Sequence, residues 1–240
     1  MPSNFLKDVI LRLNFKDEIK FSPQVVDNIK RMVSDSFPEF EPREQVSIEM
    51  TIDNVQKTTK EKRAKAYYFH NNANSSITLE PNAIIIGIKN YNTYEEFRNL
   101  VQKVIQNLGT ENSSAKTSRI GLRYINQIII NEGDPFEWTE FIKEPLTSSL
   151  DFIERRSELS RLMGVLELNR SDYFLRFQYG WFNSEYPNPI AKKEFSLDYD
   201  CYSKNETELS SILGQVDIYH TAIKELYEHS ILDGLRNYGR

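Results

Sequence analysis

The chain has 240 residues, with 30 Lys and Arg against 35 Asp and Glu and a formal net charge of -5. That length can bury a sizeable core. The 39% apolar, 27% charged composition with 14 Phe, 13 Tyr and 2 Trp excludes a disordered, collagenous or low-complexity polypeptide. The acidic balance has the wrong sign for a protein that coats nucleic acid, and the single cysteine, Cys201, excludes an internal disulfide or a multi-cysteine metal centre.

In chain order, Val9 to Phe15 alternates apolar and polar residues and reads as a strand with one covered face. Ser22-Pro23 then supplies an N-cap and a first-turn proline. Val25, Val26, Ile29, Met32 and Val33 recur at helical spacing until Phe37-Pro38. Strands are expected over Val46 to Ile52, Ala64 to His70 and Ser76 to Leu79, the last turning through Glu80-Pro81-Asn82 into Ala83 to Ile88. The basic run Lys57 to Lys65 between the first two reads as a solvated hairpin loop. A helix follows from Thr93 to Leu108, closed by Gly109.

The polar stretch Gly109 to Ser118 is the best internal boundary, which divides the chain into halves 1–112 and 113–240. The order of elements then restarts. Ile120 to Ile130 reads as a strand, Asp134-Pro135 as the start of a short helix through Trp138, Phe141 and Ile142. Three strands are expected next, over Leu162 to Leu168, Tyr173 to Trp181 and Glu194 to Tyr202, before a long helix from about Glu206 to Asp233. Leu11-Arg12 stands 111 residues before Leu122-Arg123, and Ser22-Pro23 stands 112 before Asp134-Pro135. The expectation is an α+β protein of two similar strand-helix-strands-helix halves, with antiparallel sheets and helices packed on one face. A duplication of this element order resembles the TATA-binding-protein-like fold.

The sharpest chemical pattern is the strand from Glu194 to Cys201. Alternation puts Glu194, Ser196, Asp198 and Asp200 on one face and Phe195, Leu197, Tyr199 and Cys201 on the other. Ser47, Glu49, Thr51 and Asp53 repeat it earlier. Such rows suit a divalent cation or an acid and base pair, and suit equally the solvated face of a half-exposed sheet. Arg123, in a strand otherwise rich in Leu, Tyr and Ile, calls for a carboxylate on a neighbouring strand, with Asp198, Asp200 or Glu167 the candidates, or else for an anionic ligand.

The three histidines, His70, His220 and His229, include no pair at helical metal-ligand spacing, and His220 is expected as a hydrogen-bonded core residue. Cys201 is expected to be a buried, inert thiol. No Gly-x-x-x-x-Gly-Lys, Gly-x-Gly-x-x-Gly, Gly-x-Ser-x-Gly or His-Glu-x-x-His motif occurs, which disfavours nucleotide-loop enzymes and the familiar hydrolases. Tyr67-Tyr68-Phe69-His70 and Tyr173 to Phe182 could stack bases, a weaker reading given the acidic total. No stretch approaches eighteen apolar residues and no signal-peptide run is seen, so a cytoplasmic protein outside the membrane is expected.

Gly121-Leu122-Arg123-Tyr124-Ile125-Asn126, with the strand at Phe5-Leu6-Lys7-Asp8-Val9, Tyr219-His220-x-x-Ile223 and Asp233-Gly234-Leu235-Arg236, resembles a sporadically distributed family of uncharacterised prokaryotic proteins over nearly the whole length. The resemblance implies a soluble, single-chain prokaryotic protein and brings no catalytic residues.

The expected function is non-enzymatic binding or regulation, through an open sheet face or a groove between the halves that recognises a protein partner or small ligand. The candidate ligand-binding residues are Arg123, Glu194, Asp198 and Asp200, with no catalytic residue and no cofactor assigned. The alternative is a metal-assisted phosphoryl-transfer or hydrolytic enzyme in which the same residues hold a divalent cation. A third reading is single-stranded nucleic-acid binding. Homodimerisation stays open.

Overall fold

The computed structural model describes residues 5–52 and 57–238, with the side chains of residues 45, 47–52 and 57–62 outside the description. Its elements are β1 (Leu6–Phe15), α1 (Pro23–Val33), β2 (Glu39–Ile52), β3 (Lys57–His70), β4 (Ser76–Glu80), β5 (Ala83–Ile88), α2 (Tyr94–Gly109), β6 (Lys116–Ile130), β7 (Leu162–Asn169), β8 (Tyr173–Trp181), β9 (Lys193–Ser203), β10 (Thr207–Glu208), α3 (Ile212–Ser230) and α4 (Asp233–Asn237). The chain is thus α+β.

All the long strands join one antiparallel sheet in the order β2-β3-β4-β5-β1-β6-β9-β8-β7, and the short β10 pairs with the start of β6. The strands on either side of residues 109–118 meet at the middle, where β1 pairs with β6 and Leu11 lies opposite Leu122. β2 and β3 run much longer than the alternation around 46–52 and 64–70 suggests. The basic run Lys57 to Lys65, read as a loop, is strand. Its backbone pairs with β2 along Lys57 to His70, while β4 accompanies only Tyr67 to His70.

Alternation sorts each strand onto two faces. Val9, Leu11 and Leu13 of β1, Leu122, Tyr124 and Ile128 of β6, and Phe195, Leu197, Tyr199 and Cys201 of β9 are all sealed from solvent. They pack under Val25, Val26, Ile29 and Val33 of α1, Phe97, Val101, Val104 and Leu108 of α2, and Ile212, Val216, Tyr219, Ile223 and Tyr227 of α3. Each such Leu, Ile or Val contributes roughly 1.5–3 kcal/mol on burial, so the helices stay on one face.

The helix starts follow local chemistry. Ser22 Oγ accepts the Val25 N–H at 3.3 Å with Pro23 in the first turn, and Thr93 Oγ1 accepts the Glu96 N–H at 3.2 Å. The second half departs from expectation after β6. No α-helix forms through Trp138, Phe141 and Ile142; the described residues 131–161 are turns and short 3-10 segments. Asp134 closes an Asx turn on the Phe136 N–H at 2.8 Å, and Pro145 interrupts the pattern after too few residues for a stable helix. The apolar residues anchor coil instead. Trp138 is buried with its indole N–H donated to the Pro135 carbonyl, and Ile142 forms a bridge with Ile231. The last helix is also shorter than the expected span, because 207–211 form β10 and a 3-10 turn and α4 is separate. No helix among the described residues is long and apolar enough to cross a membrane.

Candidate functional site

On the face of the sheet turned away from the helices, three of the four expected site residues, Arg123, Asp198 and Asp200, come together, and Glu194 stands apart. In register, Arg123 of β6 lies opposite Asp200 of β9 and Ile10 of β1, while Asp198 lies opposite Ile125 and Gln178. The Arg123 side chain reaches diagonally to Asp198, with Nε to Oδ1 at 2.8 Å and Nη2 to Oδ2 at 2.5 Å. The carboxylate that a mid-strand arginine required is therefore Asp198, in a two-point pair that fixes the guanidinium plane.

The other carboxylates of β9 have separate tasks. Glu194 is buried and accepts both the N–H and the hydroxyl of Ser184, each at 2.7 Å, so it ties down the turn between β8 and β9. Asp200 is half-buried with its nearest cation, Arg119, at 3.9 Å. Burial raises its pKa, only partly offset by Arg119 and Arg123. Three carboxylates of one strand thus point along one face without converging. Among the described residues, no three His, Cys, Asp or Glu side chains gather as metal ligands. The earlier row is beyond this description at Asp53 and at the side chains of Ser47, Glu49 and Thr51.

Around Arg123 the strands assemble a cavity of about 160 Å³ lined by Ile10, Arg12, Asn14, Arg119, Gly121, Arg123 and Asp200. Arg12 and Arg119 are exposed, Arg12 donates Nε–H to Asn14 Oδ1 at 2.9 Å, and Arg119 lies over the Tyr202 ring at 4.5 Å. Gly121, opposite Arg12, leaves the floor without a side chain. Three guanidinium groups therefore border one small hollow with a single carboxylate, Asp200, on its wall. A smaller hollow of about 80 Å³ adjoins it between Arg123, Arg176, Gln178, Asp198 and Asp200. Sequence reasoning missed Arg12, Arg119, Gly121 and Arg176 as site members. The signal was their alternation on β1, β6 and β8, but which strands adjoin is set by pairing across more than a hundred residues.

The opposite face of β6 starts a polar chain that runs from buried Tyr124 out to the half-exposed Asp217 and Arg98. The Tyr124 hydroxyl lies 3.0 Å from His220 Nδ1 and 3.3 Å from the Tyr91 hydroxyl. The His220 ring stacks on Tyr94 at 3.6 Å, and Tyr94 donates its hydroxyl hydrogen to Asp217 at 2.6 Å, which also takes two bonds from Arg98. Burial, with a smaller push from Lys224, lowers the His220 pKa from 6.5 to about 4, so the imidazole is neutral at pH 7. Cys201 is sealed in the core, and burial pushes its thiol up, far from nucleophilic range.

The aromatic stretches offer no row of open rings. Phe69, Phe177 and Trp181 are in the core; Tyr68 is covered by Arg43 at 4.0 Å and stacked on His70, and Phe174 stacks on Tyr202. No family model matches the chain, and no curated protein does.

Proposed function

We propose that this chain is a non-enzymatic binding protein whose open sheet face takes an anionic group presented by a protein partner or a small ligand. The observation that carries the reading is the hollow bordered by Arg12, Arg119 and Arg123 over Gly121, where the Arg123–Asp198 pair is joined by two exposed guanidinium groups and the one carboxylate on the wall is Asp200. Guanidinium forks suit a carboxylate or a phosphate group. The hollow's size suits one such group, and Asp8, Asp198 and Asp200 interspersed on the same face disfavour a long polyanion such as nucleic acid.

The same reading takes the two halves as a duplicated unit of the TATA-binding-protein-like kind. Support comes from the mirrored strand order about β1 and β6, and from Leu11 pairing with Leu122, the residue 111 positions later. Arg12 and Arg123 are then equivalents that meet at one hollow. Within the motif that suggested a prokaryotic family, Gly121 and Arg123 build this hollow while Leu122, Tyr124 and Asn126 face the core. A cytoplasmic location belongs to the same proposal.

The test is thermal denaturation with increasing inorganic phosphate, at ionic strength held constant with chloride. A saturable rise in Tm is expected. It should be abolished in the Arg12→Gln, Arg119→Gln double variant, which leaves the Arg123–Asp198 pair intact. An equal rise in wild type and variant would sink the reading.

A further inference from the structure

The two outer edges of the sheet are unlike. On β2 the edge sequence Glu39-Phe40-Glu41-Pro42-Arg43-Glu44 combines a proline with alternating charges, devices that discourage strand addition. The opposite edge, β7, reads Leu162-Met163-Gly164-Val165-Leu166-Glu167-Leu168-Asn169. It is apolar, lacks proline, and is bordered only by β8 among the described residues. Met163, Val165 and Leu166 are 37%, 51% and 44% exposed, unusual for three aliphatic side chains on one strand.

The direction of the backbone groups follows from the turn into β8. Arg170 donates its N–H to the Tyr173 carbonyl at 2.9 Å. Even-numbered residues of β7 therefore bond to β8, and Met163, Val165 and Glu167 turn their N–H and C=O groups outward.

From this edge we infer that the protein forms a two-fold homodimer by antiparallel pairing of β7 with β7 of a second copy. The occupant is a second copy because the edge complements itself in one register. With Gly164 opposite Gly164 at the axis, Met163 meets the partner copy's Val165 twice, and Arg161 meets the partner copy's Glu167 twice. Arg161 and Glu167 enter no ion pair within the described chain. Arg161 is held in place by its Nε–H bond to the Phe182 carbonyl at 2.8 Å and by the Tyr186 ring at 4.2 Å, which leaves its terminal nitrogens open.

Gly164 fits the axis. The Tyr179 ring lies over it so closely that a Cβ would meet the ring at 2.6 Å, and the two glycines facing each other leave that layer flat. Because such an axis stands perpendicular to the sheet, like faces remain on one side. The nine strands of the main path continue into the nine of the second copy, with both arginine hollows on the same surface.

Sedimentation equilibrium of the full chain tests this. Wild type should sediment at twice the 28.2 kDa chain mass. Val165→Pro deletes an outward N–H without touching β8 pairing, and Val165→Lys places a charge at the seam. Each should raise the dimer dissociation constant by on the order of tenfold or more, with far-UV circular dichroism unchanged. Glu167→Arg should weaken the dimer and Arg161→Glu added to it should restore it, which fixes the register. A wild-type monomer at high micromolar concentration overturns the proposal, and so does a dimer indifferent to both Val165 variants. Should Val165→Pro unfold the chain, Val165→Lys carries the test alone.

Discussion

The two halves of the sheet are roofed differently. Over β1, β5 and β4 lie two helices, α1 and α2, docked on each other and tied at their ends. Ser22, the cap of α1, donates its hydroxyl hydrogen to Glu111 at 2.5 Å, and Asn112 bonds to both backbone groups of Lys20. Over β6 and β9 lies α3, which seals with Ile212, Val216 and Ile223 as well as Tyr219 and Tyr227, and beside it the coil of 131–161 seals with rings. Trp138 and Trp181 share the Pro135 carbonyl as acceptor and both touch Phe195, with ring centroids 5.2 Å apart in each case. The paired helices spread their stability over many aliphatic contacts, whereas the coil beside α3 concentrates its share in a few large side chains.

That contrast predicts the largest single effect at Trp138. Trp138→Ala should cost about 4 kcal/mol through the cavity it leaves and the loss of one of the two indole bonds to the Pro135 carbonyl, read as a shift in urea midpoint. Hydrogen exchange should show the loss first in β9 and residues 131–161 if the second roof opens by itself. Uniform loss across α1 and α2 would show instead that the two roofs act as one.

The seam between the roofs is sensed by His220, which α3 places against Tyr94 of α2 and Tyr124 of β6. Its folded pKa is about 4 against an ordinary 6.5. Between those values the unfolded chain binds a proton that the folded imidazole refuses. Stability is therefore full above pH 6.5 and falls as pH drops through that window, by about 1.5 kcal/mol once partial solvent access is allowed for. Melting temperatures in wild type and His220→Gln across pH 7 to 4 check this, and a slope no flatter in the variant would reject His220 as the source. The smallest effect is expected at the first roof. Ser22→Ala removes one cap and one link to Glu111 and should lower stability by about 1 kcal/mol in the same denaturation assay; a loss as large as that at Trp138 would erase the contrast.

How far the sequence carried depended on range. The helices capped by Ser22 and Thr93, the hairpin at Glu80-Pro81-Asn82 and the alternating faces of β9 are local, and they were legible. The pairing need of Arg123 was legible too, because a charge amid Ile and Leu demands a partner. The helix expected at Trp138 was not formed, since apolar spacing alone does not distinguish a short helix from coil pinned by indole hydrogen bonds. The arginine hollow was hidden for another reason: Arg12 and Arg119 come from strands that meet only through the β1–β6 register.

The central place of β1 also bears on how the chain is made. Residues 6–15 leave the ribosome before either of their partners, β5, ending at Ile88, and β6, ending at Ile130. A strand with one apolar face and both edges open must wait through the synthesis of some seventy residues before its first neighbour exists, and through about forty more before its second is complete. Those ten residues are where a nascent chain of this protein is most exposed to aggregation or to chaperone capture.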